Sequence, residues 1–211
     1  MAISYYDKPI LIGIAGGSGS GKTTLSNSIY NKLSEKTLRG YIISIDDFYI
    51  STTDNEKEQI KDIDFDDPKR IEFNELESVL KDITKREKII IPTYDFKSCK
   101  RIGKKELDCS YIDFVIVEGL FCLYHSNIRN LLDISLFIEI SDDLRWQRRV
   151  QRDVIERGAN INDLVNYYNK FVKPSYNIHI LPTIKYADKI IDESDNEYKL
   201  SINWIISKLL V

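Results

Sequence analysis

The stretch Gly16-Gly17-Ser18-Gly19-Ser20-Gly21-Lys22-Thr23 constrains this chain more than any other feature. It matches in full the spacing of glycine, four residues, glycine, lysine and a hydroxyl residue. It follows a short apolar run, residues 10–14, whose β-branched side chains predict a buried strand. After it, Leu25, Ile29 and Leu33 recur every fourth residue and Gly40 supplies a stop signal, so a helix is expected there. Strand, glycine loop and helix in that order make a cradle for phosphates. The glycines let backbone N–H groups turn inward, and the helix N-terminus adds about half a positive charge. Lys22 contributes a point charge, and the Thr23 hydroxyl can ligate Mg²⁺. A glycine-rich turn can also merely join a strand to a helix; the flanking pattern weighs against that reading.

Apolar strands alternating with helices continue along the chain. Residues 41–45, 114–117, 136–140 and 189–191 read as four more strands. The expected fold is α/β in three layers, a five-stranded parallel sheet with helices on both faces and ligand sites beyond the carboxyl ends of the strands. Between the second and third of these strands, residues 50–112 are largely polar, with a helix predicted over 71–84 and a short strand over 89–91. This segment reads as a substrate-side insertion in a single domain spanning residues 1–211. Near the end, Ile202, Ile205, Ile206, Leu209 and Leu210 fall at helical spacing and predict a packing helix.

Composition narrows the partners. At 211 residues, 43% hydrophobic and 30% charged, the chain is long enough to bury a core. A formal charge of −3 argues against a protein that grips nucleic-acid backbones or an anionic membrane, so any bound anion must be held locally. No basic leader opens the sequence and no apolar run reaches about 18 residues, so neither export nor a membrane span is expected. Cys99, Cys109 and Cys122 lack metal-site or C-x-x-C spacing, which fits a reducing cytoplasm. His125 and His179 stand alone and read as structural or surface residues.

Two acidic positions fall at the carboxyl ends of other predicted strands: Asp46, with Asp47 beside it, and Glu118. Phosphoryl transfer to an alcohol needs a carboxylate near the attacking hydroxyl and oxygen ligands around Mg²⁺. Asp46 suits the first role and Glu118 the second, whereas Asp47 reads equally well as a turn-capping acid. A helix is predicted from residue 142 to 157, with Ser141 as N-cap and Gly158 as stop. Trp146, Val150 and Val154 form its apolar stripe, and Arg145, Arg149 and Arg152 share another face. Such a face is often plain solvated surface; next to a phosphate loop it predicts a lid, about residues 142–160, that neutralises the transferred group and excludes water.

Several segments then match in order: GGSGSGKTT at 16–24, SIDDFY at 44–49, DFDDP at 64–68, PTYDF at 92–96, VEGLFCLY at 117–124 and RDVIERG at 152–158. FVKPSY from Phe171 and PTIKYAD from Pro182 extend them. Over nearly its whole length the chain resembles the uridine kinase (uridine–cytidine kinase) family. That resemblance implies a nucleoside 5′-phosphotransferase of pyrimidine salvage, using Mg²⁺ with ATP or GTP. Asp46 would act as base on the 5′-hydroxyl, with Thr23, Asp46 and Glu118 around the metal. The loop residues Gly16 to Thr24, with Arg152 and Arg157, would hold the triphosphate, and Lys22 and Arg152 would act on the transferred group. Asp66 and Arg149 would contact the sugar, while Tyr49, Tyr94 and Phe96 would wall the base. Without the resemblance, Asp66 is one more acid in the run Asp62, Asp64, Asp66, Asp67, which lacks the glycine and terminal glutamate of a calcium loop. Relatives are often homotetramers.

Three positions depart from the family pattern, all on the acceptor side. Cys99 stands where a histidine is usual, Ala159 where an arginine is usual, and Tyr167 where a glutamine is usual. A thiol is a poor hydrogen-bond partner. The transfer machinery is thus expected to be retained and acceptor recognition, at Cys99 and Tyr167 above all, to be altered. Two other readings stay open: a kinase of another small alcohol, as in phosphoribulokinase-like or pantothenate kinase-like relatives, and a nucleotide-binding regulator with little turnover.

Overall fold

The apolar run that precedes the glycine loop forms β1 (Ile10–Gly16) in a computed structural model of the chain, which describes residues 7–57, 60–194 and 198–209. The glycine loop leads into helix α1 (Lys22–Ser34), whose Leu25, Ile29 and Leu33 are buried. β2 (Gly40–Ser44), β5 (Phe114–Glu118), β6 (Ile134–Ile138) and β7 (Lys189–Ile191) join β1 in one parallel sheet of order β2-β5-β1-β6-β7. β5 and β6 are buried along their whole length, as expected of strands covered on both faces.

Period-two alternation sends successive side chains to opposite faces, and so makes two cores. Ile12, Ile14, Ile116 and Leu136 pack against α1 and the final helix (Lys199–Leu209). Leu11, Val115, Val117 and Phe137 pack on the other side against Leu76, Leu80 and Ile83 of the insertion helix (Phe73–Thr84) and against Tyr176 and Ile180. Burying each such side chain contributes roughly 1.5–3 kcal/mol, so the sheet is a firm platform. Leu210, expected in the last helix, lies outside the described residues.

Register sets the site. Ile14 of β1 and Ser44 of β2 both pair with Glu118, so the carboxyl ends of these three strands are level and open on the same side. Asp46 and Asp47 follow in a single 3₁₀ turn (Ile45–Phe48), in which the Asp46 N–H donates to the Ser44 side chain at 3.3 Å.

Two elements differ from expectation. The short strand predicted at 89–91 is the middle of β3 (Lys88–Asp95), which pairs antiparallel with an unpredicted β4 (Lys100–Asp108). β4 is exposed almost throughout and carries little apolar alternation, since backbone pairing to β3 and not burial holds it. The predicted arginine helix is α-helical only over Asp142–Val150; Gln151–Glu156 widens into a π-helical turn. That change of pitch turns the later side chains by an amount that sequence spacing at 3.6 residues per turn cannot foresee. Among the described residues no helix is long and apolar enough to cross a membrane.

Candidate active site

Sharp turning makes the loop. The backbone adopts positive φ at Gly16, Gly19 and Gly21, a region closed to most side chains. Gly17 is small for another reason: a Cβ there would lie 2.4 Å from Arg145 Nη1. Lys22 Nζ donates to the Gly17 carbonyl at 2.9 Å, reaching back across the loop. Burial lowers the Lys22 pKa, while Glu118 and Asp46 oppose that shift. Ser18, Gly19, Gly21, Lys22, Thr23 and Thr24 line a cavity of about 500 Å³, with Gly16, Gly17 and Ser20 outside its lining.

Asp46, Glu118 and Asp66 line the same cavity. Thr23 Oγ1 donates to Glu118 Oε1 at 3.3 Å. Burial, and then the charge of Glu118, push the Asp46 carboxyl up to about 7 against the pull of Lys22. Two acids crowded beside the Thr23 hydroxyl form a hard-oxygen donor set that a divalent cation would relieve, so these residues fit Mg²⁺. Asp66 is buried, and its Oδ2 has no hydrogen-bond partner among the described residues. Burial raises its pKa, with Arg149 opposing. Asp47 accepts the Tyr94 N–H at 3.2 Å and ties the 3₁₀ turn to β3, the bland reading of the two given above.

The arginine face is split. Arg145 does not face the cavity: its guanidinium is buried beneath the loop, 3.5 Å from the Tyr176 ring centroid and 3.0 Å from Asp142. Arg148, Arg149, Arg152 and Arg157 line the cavity instead. Arg148 donates to the Ser20 carbonyl and Arg149 to the Ser18 hydroxyl, both at 3.0 Å. Asp153 gathers the others: Arg152 grips it with two hydrogen bonds of 2.8 and 3.0 Å, Arg157 approaches to 3.2 Å and Arg149 to 3.3 Å. Burial works against the Asp153 charge, yet Arg152 and its neighbours hold its pKa below the ordinary carboxylate range. Sequence reasoning singled out neither Arg148 nor Asp153. Arg148 lies one residue before Arg149, and Asp153 follows Arg152 inside a quoted motif, so adjacency to marked residues was the available signal.

Part of the cavity wall is aromatic. Tyr49 and Phe96 line it, with ring centroids 5.7 Å apart, joined by Phe65, Leu120, Cys99 and Tyr167. Tyr94 sits 5.3 Å from Tyr49 and 5.2 Å from Phe96 but is absent from the lining. The register irregularity between Thr93 and Tyr94 breaks the alternation of β3, and Tyr94 lies in the core, 7% exposed, so it supports the wall from behind. Ala159 is exposed and also outside the lining.

A glycine-built phosphate cradle after the first strand of a five-stranded parallel sheet, faced by buried acids and four arginines, defines a P-loop kinase. The chain belongs to the phosphoribulokinase/uridine kinase family, whose sequence profile matches residues 11–198. It is 39% identical over 203 residues to the uridine kinase of Lactobacillus helveticus, covering 96% of this chain and 95% of that one. It is 36% identical over 209 residues to uridine-cytidine kinase B of Dictyostelium discoideum, covering 98% and 85%. Among solved structures, D-glycerate 3-kinase from Cryptococcus neoformans superposes with a TM-score of 0.65 at 19% identity, over 88% of this chain and 86% of that one. Shikimate kinase from Acinetobacter baumannii superposes with a TM-score of 0.52 at 14% identity, over 97% and 94%. These two likenesses concern the fold alone.

Proposed function

We propose that this kinase transfers the terminal phosphoryl group of ATP to the 5′-hydroxyl of a nucleoside, as uridine or cytidine. The observation that carries the reading is that Lys22, Asp46, Asp66, Tyr49 and Phe96 all line one cavity. Asp46 takes the proton of the attacking hydroxyl; a carboxyl held near pH 7 is strong enough as a base and still ionised in part at neutral pH. Asp66 and Arg149 orient the sugar. The loop amides and Lys22 hold the triphosphate, and Arg152 and Arg157 supply positive charge where the transferred group carries most of its negative charge. Thr23, Asp46 and Glu118 would hold Mg²⁺, which when bound neutralises phosphate oxygens.

Purified protein with Mg·ATP, tested against uridine, cytidine, ribulose 5-phosphate and pantothenate, should release ADP only with the nucleosides. Release with one of the other alcohols alone would replace the acceptor, and nucleotide binding with no release would make the protein a regulator.

A further inference from the structure

On the aromatic side of the cavity three polar side chains, Tyr49, Tyr167 and Cys99, bond to the protein itself. Tyr49 Oη donates to the Phe65 carbonyl at 2.7 Å, and Tyr167 Oη accepts the Phe65 N–H at 3.0 Å. The two tyrosines thus hold both backbone groups of the residue before Asp66. The Tyr167 hydroxyl also lies near the Asp66 and Asp64 carboxylates, which act on it electrostatically. The Cys99 thiol donates to the Phe96 carbonyl at 3.3 Å, and the Cys99 carbonyl accepts from Thr52 through N–H at 2.9 Å and hydroxyl at 3.0 Å. Among the lining residues here, Phe65, Phe96 and Leu120 offer only ring and hydrocarbon side chains, and Phe96 is 52% exposed. Buried Asp66 Oδ2 has no hydrogen-bond partner among the described residues, and neither has Tyr94 Oη behind the aromatic wall.

Resting on the nucleoside kinase reading, we infer that this enzyme recognises its acceptor through the sugar and by stacking, and does not read the hydrogen-bonding edge of the base. Tyr167 is then a positioning residue that fixes the Phe65–Asp66 loop. A site that hydrogen-bonds a substrate group rejects the analogue lacking it by roughly 10⁴–10⁵, because its own buried group is left unpaired; a stacking wall has no such group to strand. Nucleosides altered at the base edge should therefore be substrates, and nucleosides altered at the ribose should not.

The test compares kcat/KM for uridine, 3-methyluridine, whose edge N–H is blocked, and 2′-deoxyuridine, by ADP release and product mass. We expect 3-methyluridine within about tenfold of uridine and 2′-deoxyuridine at least about a hundredfold worse. In Tyr167→Phe, the KM of uridine and of 3-methyluridine should rise together by about tenfold, with their ratio and the KM of ATP unchanged. A drop of a hundredfold or more with 3-methyluridine, equal use of 2′-deoxyuridine, or a ratio that moves in Tyr167→Phe would overturn the inference alone. No turnover with uridine would instead overturn the nucleoside kinase reading beneath it.

Discussion

Asp46 shows how burial serves chemistry at the expense of stability. Its carboxyl is held near 7 in the fold against 3.8 in the open chain, so the folded state binds a proton more tightly between those values. Stability from this group is complete below about pH 4 and is lost as pH rises through about 7. Activity runs the other way, because only the ionised carboxylate can take the proton of the attacking hydroxyl. Asp46→Asn should cut turnover at least about a hundredfold, leave ATP affinity nearly unchanged, and raise Tm at pH 8 by about 2–4 °C. Steady-state rates and thermal melts across pH check all three, and normal turnover in the variant would strip Asp46 of its role. Its position after β2 was readable in the sequence, but its raised pKa was not, because that depends on Glu118, 72 positions away in sequence and brought near by the sheet.

The arginine-bearing segment carries its lesson at the level of the element. Even spacing of Arg145, Arg149 and Arg152 predicted one cationic face, and the fold divides it: one guanidinium lies under the loop and the others gather around Asp153. The π-helical turn from Gln151 to Glu156 carries Arg152 and Asp153, and both line the same cavity as Arg157, which follows it. Asp153→Asn keeps the size and one acceptor but loses the charge that orients three arginines, so kcat should fall about tenfold or more and Tm should fall with it; kinetics at a temperature where a melt shows the variant folded separate the two effects. Gly17→Ala should weaken nucleotide binding at least about tenfold by calorimetry, because the new methyl meets the Arg145 guanidinium, itself pinned between Tyr176 and Asp142. The β3–β4 hairpin was half visible for a related reason: β3 buries alternate residues, and β4 is a strand only because β3 is beside it.

For the molecule as a whole, the parallel sheet is a device for bringing distant positions to one edge. Lys22, Asp46, Asp66, Glu118 and Arg152 come from five separate segments, and all line one cavity. Nucleotide binding should therefore stabilise the entire domain: a non-hydrolysable ATP analogue with Mg²⁺ at about 100 Kd should contribute about 2.7 kcal/mol and raise Tm by roughly 5–11 °C. Lys22→Ala should abolish that shift, as read by differential scanning fluorimetry; an unaltered shift would mean that the nucleotide binds elsewhere. The phosphate loop, the main strands and the fold class were determined by the sequence itself. They depend on local rules, namely glycine conformations, apolar periodicity and caps that act within a few residues. The pKa of Asp46, the burial of Arg145, the Asp153 hub and the self-satisfied polar groups around Phe65 were decided only by tertiary structure, because electrostatics and hydrogen bonding depend on distance in space and not on distance along the chain.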